Sequence, residues 1–343
     1  MRKLLNTLFV TNENAYGSLD GENVVIKEKN EEIARYPLHL LEGIYLFTYA
    51  GCSPALMGKC ADRGVSISFL TPGGKFLART VGETAGNIHL RKAQYRFSDS
   101  EEDSLTIARN FIIGKINGER VVIDRARRNH PDRVDAEKFI EASHELKDIL
   151  FFVRYAESLD SLRGFEGQAS KKYFSCFDDM ILGDKENFFF HERSKRPPLD
   201  RVNALLSYCY TLLTNECVSA LEMVGLDSEA GFLHRDRSGR KSLACDLIEE
   251  LRAPVCDRFA LSLINNRQLS ADDFDILEDG AVYLNRSGRT TVLKEWQQRK
   301  SENIIHPYLG EKIQFGLIPY TQALLLSRYI RGDIDGYPPF FWR

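Results

Sequence analysis

The sequence has 343 residues, of which 43% are hydrophobic, and a formal net charge of −3 from 46 Lys and Arg against 49 Asp and Glu. This length exceeds the usual single domain, so we expect two domains with substantial cores. The balanced charge excludes a uniformly basic nucleic-acid coat but permits local basic patches. The sequence contains no apolar run long enough to span a bilayer, and polar Asn6 and Asn12 interrupt the apolar start, so we expect neither membrane association nor a targeting segment.

The seven cysteines form no C-x-x-C pair, and their number is odd. This usage is typical of reduced, mostly buried thiols in a cytosolic protein rather than of a disulfide framework or a zinc knuckle. Cys209 and Cys217 lie in a strongly apolar helical pattern, so we expect them to be small core residues.

Residues 1–84 are predicted to form a small β-rich domain. Short β-prone runs alternate there with turn signals, and the apolar and aromatic run at residues 43–49 is the candidate central strand. One helix is expected within this domain, because Ser53 is a good N-cap and Pro54 suits the first helical position.

The rest of the chain, residues 101–343, is predicted to be a larger all-α domain, which makes the fold class α+β. The boundary follows the polar, glycine-containing residues 82–87, where the apolar spacing changes from period 2 to period 3.6. Residues 85–100 are assigned to a linker and the start of the first helix, and the acidic residues 99–103 suit the N-terminus of the next one. Further helices are expected at residues 108–120, 136–161, 199–224, 257–264, 291–303 and 313–330, with a short strand at 282–284 and a packed aromatic tail at 337–342.

Glu166 is unusual because Gly164 and Gly167 bracket it. The glycines predict a tight chain path at the start of a helix that runs to about residue 182, with the carboxylate near the helix N-terminus. Lys171 and Lys172 follow on the same helix. Taken alone, a capping or helix-dipole role explains such a carboxylate better than a functional role does.

Two basic segments are predicted to lie in loops. Residues 125–133 are either a solvated connector or a surface that contacts the DNA backbone. Residues 184–198 combine three phenylalanines with cations that include Arg193 and Arg196, and such a composition can bind phosphates and stack on bases.

Residues 231–254 carry the clearest chemical pattern. A polar loop containing His234 is followed by a helix that Ser242 caps and Pro254 ends. The loop carries four cations, namely Arg235, Arg237, Arg240 and Lys241.

The helix in this stretch presents Asp246 and Glu249 on one face, because they are three residues apart, and Glu250 is able to join them. An imidazole with carboxylate oxygens suits Mn²⁺ and Mg²⁺ and, less selectively, Zn²⁺. Nearby cations attract phosphate, so the pattern indicates metal-assisted phosphodiester chemistry. An ordinary solvated helix face would show the same acidic spacing.

Three motifs together resemble the CRISPR-associated protein one family, the integrases and endonucleases that insert new spacers. They are residues 162–167 (LRGFEG), residues 196–207 (RPPLDRVNALLS), and GFLH at 231–234 followed by SLxxDLxE at 242–249. The resemblance extends over essentially the whole chain, and the segment RGFEGQA at residues 163–169 resembles the type I-C branch.

The resemblance implies that Glu166, His234 and Glu249 ligate Mg²⁺ or Mn²⁺ and that Asp246 is an additional catalytic acid beside them. Glu249 is one methylene longer than the aspartate frequent in relatives. The resemblance also implies a cytoplasmic prokaryotic homodimer that joins CRISPR-associated protein two. The assembly would insert double-stranded prespacer DNA into the repeat array through attack of a 3′-hydroxyl on a phosphodiester.

Eight cations are expected to bind phosphates of the DNA, which supplies affinity without sequence readout. They are Arg235, Arg237, Arg240, Lys241, Lys171, Lys172, Arg193 and Arg196.

Two alternatives remain open from the sequence: a stand-alone metal-dependent nuclease acting on DNA or RNA, and a non-catalytic DNA-binding scaffold for a partner nuclease. The catalytic hypotheses predict that the three ligand side chains converge on one point, at about 2.0–2.6 Å from a common ion when it is bound.

Overall fold

The computed structural model describes residues 6–71, 76–80 and 88–342 of the chain. It contains two compact units, one drawn from Met1–Gly86 with Leu284–Ser301 and the other from Asn87–Tyr283 with Glu302–Arg343. The segment Leu284–Ser301 therefore groups with the N-terminal strands, whereas its helical period placed it with residues 101–343. The predicted boundary at residue 84 and residues 85–87 of the predicted linker lie outside the described residues, whereas Ile88–Asp99 form a helix.

Short strands dominate the first unit and helices the second. The strands are β1 (Asn6–Val10), β2 (Tyr16–Asp20), β3 (Asn23–Glu28), β4 (Glu31–Pro37), β5 (Leu41–Leu46), β6 (Ser66–Leu70), β7 (Phe76–Arg79), β8 (Phe274–Ile276), β9 (Val282–Leu284), β10 (Asn303–Ile305) and β11 (Lys312–Gln314). The helices are α1 (Pro54–Asp62), α2 (Ile88–Asp99), α3 (Glu101–Asn129), α4 (Ala136–Val153), α5 (Leu159–Ser175), α6 (Arg201–Met223), α7 (Ser242–Glu249), α8 (Arg258–Asn265), α9 (Arg286–Ser301) and α10 (Ile318–Ile330).

The first unit contains a four-stranded sheet of order β1-β5-β6-β7 and an antiparallel sheet of order β2-β3-β4. β5, the predicted central strand, pairs in parallel with both β1 and β6. Its Ile44 and Leu46 are fully buried in a core shared with Leu56 of α1. Helix α1 begins as predicted, with Pro54 in its first turn and the Ser53 hydroxyl accepting the backbone N–H of Leu56 at 3.2 Å.

The long helix α3 is central to the second unit and packs against α4 and α5. Its apolar stripe, which includes Phe111, Ile112 and Ile116, is fully buried. Ser100 caps the helix by accepting the backbone N–H of Asp103. The helix continues to Asn129, so the predicted basic loop at residues 125–133 begins inside it.

Helix α5 corrects the prediction for Glu166. The helix starts at Leu159, where the Ser158 and Ser161 side chains form a reciprocal capping box. Glu166 therefore lies about two turns inside the helix rather than at its N-terminus. The helix ends at Ser175, well before residue 182. The capping box was the stronger start signal, and the flanking glycines are accommodated within the helix.

Pro254 does not end the helical path that begins at α7. Residues Arg252–Asp257 form a π-helical segment that leads directly into α8, with the Arg258 N–H donating to the Ala253 carbonyl. The wider π turn accommodates a residue without an N–H. Gly118 of α3 permits the close packing, because a Cβ there would lie 3.0 Å from Pro254 Cδ. Ser242 is the first residue of α7 and not its cap.

The C-terminal part contains more strand than predicted. Lys312–Gln314 pairs with β10, so α10 starts at Ile318 rather than at residue 313. The aromatic tail packs down as expected, with Tyr337 and Phe340 buried. All seven cysteines are free; six of them are buried and Cys245 is partly exposed. Among the helices of the described ranges, none combines the length and apolarity needed to cross a bilayer.

Candidate active site

Three helices of the second unit bring Lys115, Glu166 and Glu249 into one ion-pair cluster. Lys115 Nζ of α3 lies 2.9 Å from Glu249 Oε2 of α7 and donates to Glu166 Oε1 of α5. Glu249 Oε1 also pairs with Arg252 Nη2 at 2.9 Å. The Lys115 and Glu249 side chains are 6% and 5% exposed, whereas Glu166 is 29% exposed. The two predicted carboxylates therefore face one cation at the edge of a buried region.

The cluster keeps Glu249 charged. Burial acts to raise the pKa of this carboxyl, but the charges of Arg252 and Lys115 outweigh it and lower the pKa to about 2. His234 contributes in the same direction. For Lys115, burial opposes the charge, while Glu249, Glu119 and Glu166 raise its pKa above the ordinary value. Both groups are therefore ionised at neutral pH.

Asp246 holds the predicted histidine. It is fully buried and accepts the backbone N–H groups of Phe232, Leu233 and His234 at 2.6, 2.9 and 3.0 Å. Its Oδ1 also lies 2.5 Å from His234 Nδ1. Because the carboxylate is an acceptor in every contact, Nδ1 donates to Asp246, and in a neutral imidazole with this tautomer the lone pair lies on Nε2. This is the arrangement in which metal-binding histidines are commonly held.

The loop that carries His234 requires a glycine at position 231. A Cβ on Gly231 would lie 2.8 Å from the His234 carbonyl oxygen and 2.8 Å from Ser242 Cβ, so a larger residue would displace the loop. Arg163 of α5 donates to the Leu233 carbonyl at 2.7 Å and joins this loop to the helix of Glu166. The GFLH motif is thus explained by close packing as well as by its imidazole.

The three predicted ligands do not form a ready metal cage. Within residues 6–71, 76–80 and 88–342, no three His, Cys, Asp or Glu side chains are grouped so that they could hold an ion. The physical reason is Lys115, whose ammonium lies between Glu166 and Glu249. The two carboxylates and the imidazole are nevertheless donor types that suit a hard divalent ion, and buried Glu249 Oε2 has no well-directed hydrogen bond among the described residues. Such an ion would have to displace the ammonium.

Glu250 does not join the acidic face, contrary to its spacing from Asp246. It is fully buried on another side of the helix, where its carboxylate accepts from Gln322 and Tyr337 of the C-terminal part and from the Phe340 N–H. One helical step separates it from Glu249, which is enough to send the two side chains in different directions.

A cavity of about 600 Å³ opens beside the cluster. Glu166 and Lys115 contribute to its wall, together with Arg193, Arg252 and Tyr210. The guanidinium groups of Arg193 and Arg252 lie over the Tyr210 ring, at 5.3 and 5.2 Å from its centroid. Four carboxyl groups also line the cavity, so its five Lys and Arg side chains exceed the acids by one, and these cations suit an anionic group such as a phosphate.

Sequence reasoning missed Lys115 and Arg252. Lys115 lies on the apolar stripe of α3, four residues after buried Phe111, and Glu119 follows it by another four. A charged pair on a helix face that is otherwise apolar is costly to bury unless it has partners. That anomaly was the available signal. Arg252 gave no such signal, because it follows the predicted acidic face on an ordinary helical spacing.

The predicted DNA-binding cations differ in their surroundings. Lys172 pairs with Glu145 at 2.6 Å, Lys241 pairs with Glu229, and the half-buried Arg193 donates to Asn203 Oδ1 at 2.5 Å. The exposed members are Arg235, Arg237, Lys171 and Arg196, and Arg240 is partly exposed. DNA contact by all eight remains a prediction.

Comparisons with known sequences agree with the resemblance. A family model described as CRISPR associated protein Cas1 matches residues 8–298. A relative in Chlorobaculum tepidum, named CRISPR-associated endonuclease Cas1 1, is 52% identical over 343 residues, and the match covers 100% of both chains. A relative in Rhodospirillum rubrum, named CRISPR-associated endonuclease Cas1 2, is 47% identical over 347 residues with the same full coverage.

Solved structures show the same fold. A casposase bound to integration product matches with a TM-score of 0.84 and 24% identity, covering 98% of this chain and 93% of that chain. A CAS1 protein from Thermotoga maritima matches with a TM-score of 0.79 and 20% identity, covering 96% and 97%. A Cas6-RT-Cas1–Cas2 complex matches with a TM-score of 0.82 and 21% identity, covering all of this chain and 36% of that chain. The predicted α+β class, with a β-rich N-terminal and a helical C-terminal region, is confirmed.

Proposed function

The chain belongs to the family of CRISPR associated protein Cas1, and from this premise we propose that it is a metal-dependent DNA integrase. It would insert prespacer DNA into a CRISPR repeat array by attack of a 3′-hydroxyl on a phosphodiester. In that step the 3′ oxygen forms a new bond to phosphorus, and the repeat strand leaves with its own 3′ oxygen.

One observation carries the proposal: Glu166 and Glu249 face a single cation from neighbouring helices, and His234 acts electrostatically on Glu249. These three residues would hold a Mg²⁺ or Mn²⁺ ion. When bound, such an ion polarises phosphoryl oxygens and favours deprotonation of the attacking hydroxyl.

The surrounding residues have separable roles in this proposal. Asp246 fixes the orientation and tautomer of His234 through Nδ1. Arg252 keeps Glu249 ionised despite its burial. The cationic wall of the cavity, which includes Arg193 and Arg252, would neutralise DNA phosphates near the cluster.

The partners proposed for this chain follow from its relatives and neighbours. One structural neighbour is a casposase bound to integration product, and another is a complex that contains Cas1 and Cas2. We therefore propose double-stranded DNA and a Cas2-type protein as partners, with a homodimer in the prokaryotic cytoplasm as the acting form.

A strand-transfer assay tests the function. A labelled duplex with 3′-hydroxyl ends is incubated with a repeat-containing plasmid, the Cas2-type partner and Mn²⁺, and covalent attachment of the label is measured. We expect attachment with the parent protein, and loss of attachment with EDTA, Glu166→Gln or His234→Ala. Glu186→Gln, which changes an exposed glutamate outside the cluster, is the control.

The outcomes separate the alternatives. Plasmid cleavage without attachment would support a stand-alone metal nuclease. DNA binding that is unaffected by all the substitutions, with neither cleavage nor attachment, would support a non-catalytic scaffold.

A further inference from the structure

The buried side chain of Gln94 in α2 holds residues 227–231, called the entry segment below, which lead into the loop of His234. We propose that Gln94 is a positioning residue that fixes both this loop and the start of α7, so that the proposed ligands can share one ion. The inference rests on the proposed function, because it names a residue that prepares the proposed metal site without touching the ion.

The entry segment lies in a stretch between α6 and α7 that forms neither helix nor strand. Leu226, Ala230 and Phe232 of this stretch are nevertheless buried. A buried chain without regular structure cannot satisfy its backbone polar groups through a helix or a sheet. Its N–H and carbonyl groups therefore need partners from elsewhere in the fold.

Gln94 supplies three of these partners from one side chain. Its Nε2 donates to the carbonyl oxygens of Asp227 and Ala230 at 2.8 and 2.9 Å, and its Oε1 accepts the Asp227 N–H at 2.8 Å. Ser98, one helical turn further along α2, donates to the Gly231 carbonyl at 2.8 Å. Because the amide of Gln94 is fully buried, its removal would leave backbone polar groups without a partner.

The entry segment supports the start of α7, the helix that carries Glu249. The Ser228 carbonyl accepts the backbone N–H groups of Leu243 and Ala244, in the first turn of this helix, at 3.1 and 3.4 Å. The side chain of the residue that precedes α7 does not cap it. The backbone of the entry segment therefore takes the place of the usual side-chain cap.

The same segment leads directly into the loop of His234. Gly231 is its last residue, and the next three backbone N–H groups donate to Asp246 of α7. The entry segment is thus held by α2, and the three residues after it are held by α7. A shift of the segment would move His234 relative to Glu249, because the segment is attached to both.

Loss of Gln94 would also destabilise the fold, so the test needs a control with a similar loss of stability. Gln322 is a second glutamine with a fully buried side chain. Its Nε2 donates to Glu250 Oε1 and to the Tyr337 hydroxyl at 3.0 and 2.9 Å, at the contact between α7 and the C-terminal tail. Gln322→Leu is therefore the matched control for Gln94→Leu.

The test compares Mn²⁺ binding, followed by electron paramagnetic resonance, with hydrogen exchange at residues 232–234 in the metal-free proteins. We expect Gln94→Leu to bind Mn²⁺ about tenfold more weakly than the parent. Exchange at residues 232–234 should accelerate by more than the loss of global stability explains. Ser98→Ala removes a single hydrogen bond, so both quantities should change in the same direction but by less.

The control and the activity should behave differently from a general loss of stability. Gln322→Leu should unfold at a lower urea concentration, yet keep parental Mn²⁺ affinity and show no excess exchange at residues 232–234. Excess Mn²⁺ should restore strand transfer by Gln94→Leu, because a positioning defect weakens binding of the ion but removes no reacting group.

The inference is overturned if Gln94→Leu binds Mn²⁺ as tightly as the parent, or if Gln322→Leu weakens Mn²⁺ binding equally at the same loss of stability. If Gln94→Leu does not fold, unchanged Mn²⁺ affinity and exchange in Ser98→Ala overturn it. In each case strand transfer by the parent leaves the proposed function intact. A parent that neither binds Mn²⁺ nor transfers strands would instead remove the proposed function, and exchange at residues 232–234 would then decide whether Gln94 holds the loop.

Discussion

Glu249 and Glu250 are consecutive buried carboxylates with opposite surroundings. Glu249 faces Arg252 and Lys115, and these cations lower its pKa to about 2 despite burial. Glu250 has no such cation in its hydrogen-bonded contacts and accepts instead from an amide, a phenol and a backbone N–H. Burial raises its pKa to about 7, although these hydrogen bonds act to lower it.

The contrast shows that burial alone does not determine the pKa of a carboxyl group or its role. A carboxylate held ionised by cationic side chains is able to exchange them for another cation. A carboxylate surrounded by neutral donors has no such use, and it instead joins α7 to the C-terminal tail through Tyr337 and Phe340. We therefore propose a chemical role for Glu249 and a structural role for Glu250.

The largest expected effect is on strand transfer, when Glu249 and Glu250 are neutralised in separate variants. Glu249→Gln should lower strand transfer by at least about a hundredfold, because loss of a ligand costs no less than loss of a residue that orients one. Glu250→Gln should keep most of the activity, since its side chain faces the tail. Initial rates of attachment at saturating Mn²⁺ provide the measurement, and circular dichroism verifies the fold. Equal losses in both variants would refute the division of roles.

A second prediction concerns Lys115, the cation that both candidate ligands share. In Lys115→Met the ammonium no longer competes for the carboxylates, so Mn²⁺ binding should tighten by about tenfold. The metal-free variant should be less stable than the parent, because two carboxylates lose their buried counter-ion. Titration followed by electron paramagnetic resonance measures the affinity, and Lys138→Met, which removes an ion-paired surface lysine, is the control. Weaker Mn²⁺ binding would show that the ammonium supports the site rather than blocks it.

We expect a smaller effect from weakening the contact between Glu250 and Tyr337 of the C-terminal tail. Tyr337→Phe removes one donor from Glu250 and leaves the Gln322 and Phe340 contacts in place, so we expect a loss of about 1–2 kcal/mol in the free energy of unfolding. Denaturant unfolding measures this loss, with Tyr308→Phe as a control at an exposed tyrosine. Hydrogen exchange at residues 337–342 should increase in the variant. An unchanged exchange rate would mean that the hydroxyl does not hold the tail.

The sequence could not predict that Glu249 and Glu250 have different surroundings. Helical spacing put Asp246 and Glu249 on one face of the predicted helix, and His234 was named from the polar loop before it, because both patterns are local. The spacing also assigned Glu250 to the same face, since period alone does not reveal which neighbour each side chain meets.

The long-range parts of the site were missed for the same physical reason. Lys115 lies on a helix far away in the sequence, and its partners are known only after α3, α5 and α7 pack together. The π-helical passage through Pro254 is also a tertiary effect, because it depends on the close approach that Gly118 allows. In contrast, the strand β5 and the capped helix α1 were predictable, because their signals lie within a few residues.

The smallest expected effect is on the pH dependence of stability and concerns Asp257, a third buried acid that can be compared with Glu249 and Glu250. Asp257 accepts the Tyr173 and Tyr210 hydroxyls at 2.9 and 2.6 Å. Burial raises its pKa from 3.8 to about 6, while these hydrogen bonds and Arg193 and Arg252 act to lower it. Asp257 thus lies between the two extremes, with cations nearby but only hydroxyls in contact.

The sign of the pH dependence follows from this raised pKa. Because the folded pKa exceeds the unfolded value, the group's contribution to stability is complete below pH 3.8 and is lost as the pH rises through 6. Asp257→Asn cannot ionise, so between pH 5 and 7.5 the parent should lose on the order of 1 kcal/mol relative to the variant. Urea unfolding of both proteins at the two pH values measures this difference. A difference of the opposite sign would mean that Arg193 and Arg252 lower the pKa of Asp257, as Lys115 and Arg252 lower that of Glu249. Burial would then raise the pKa of a carboxyl group only where neutral groups make all the contacts, as they do at Glu250.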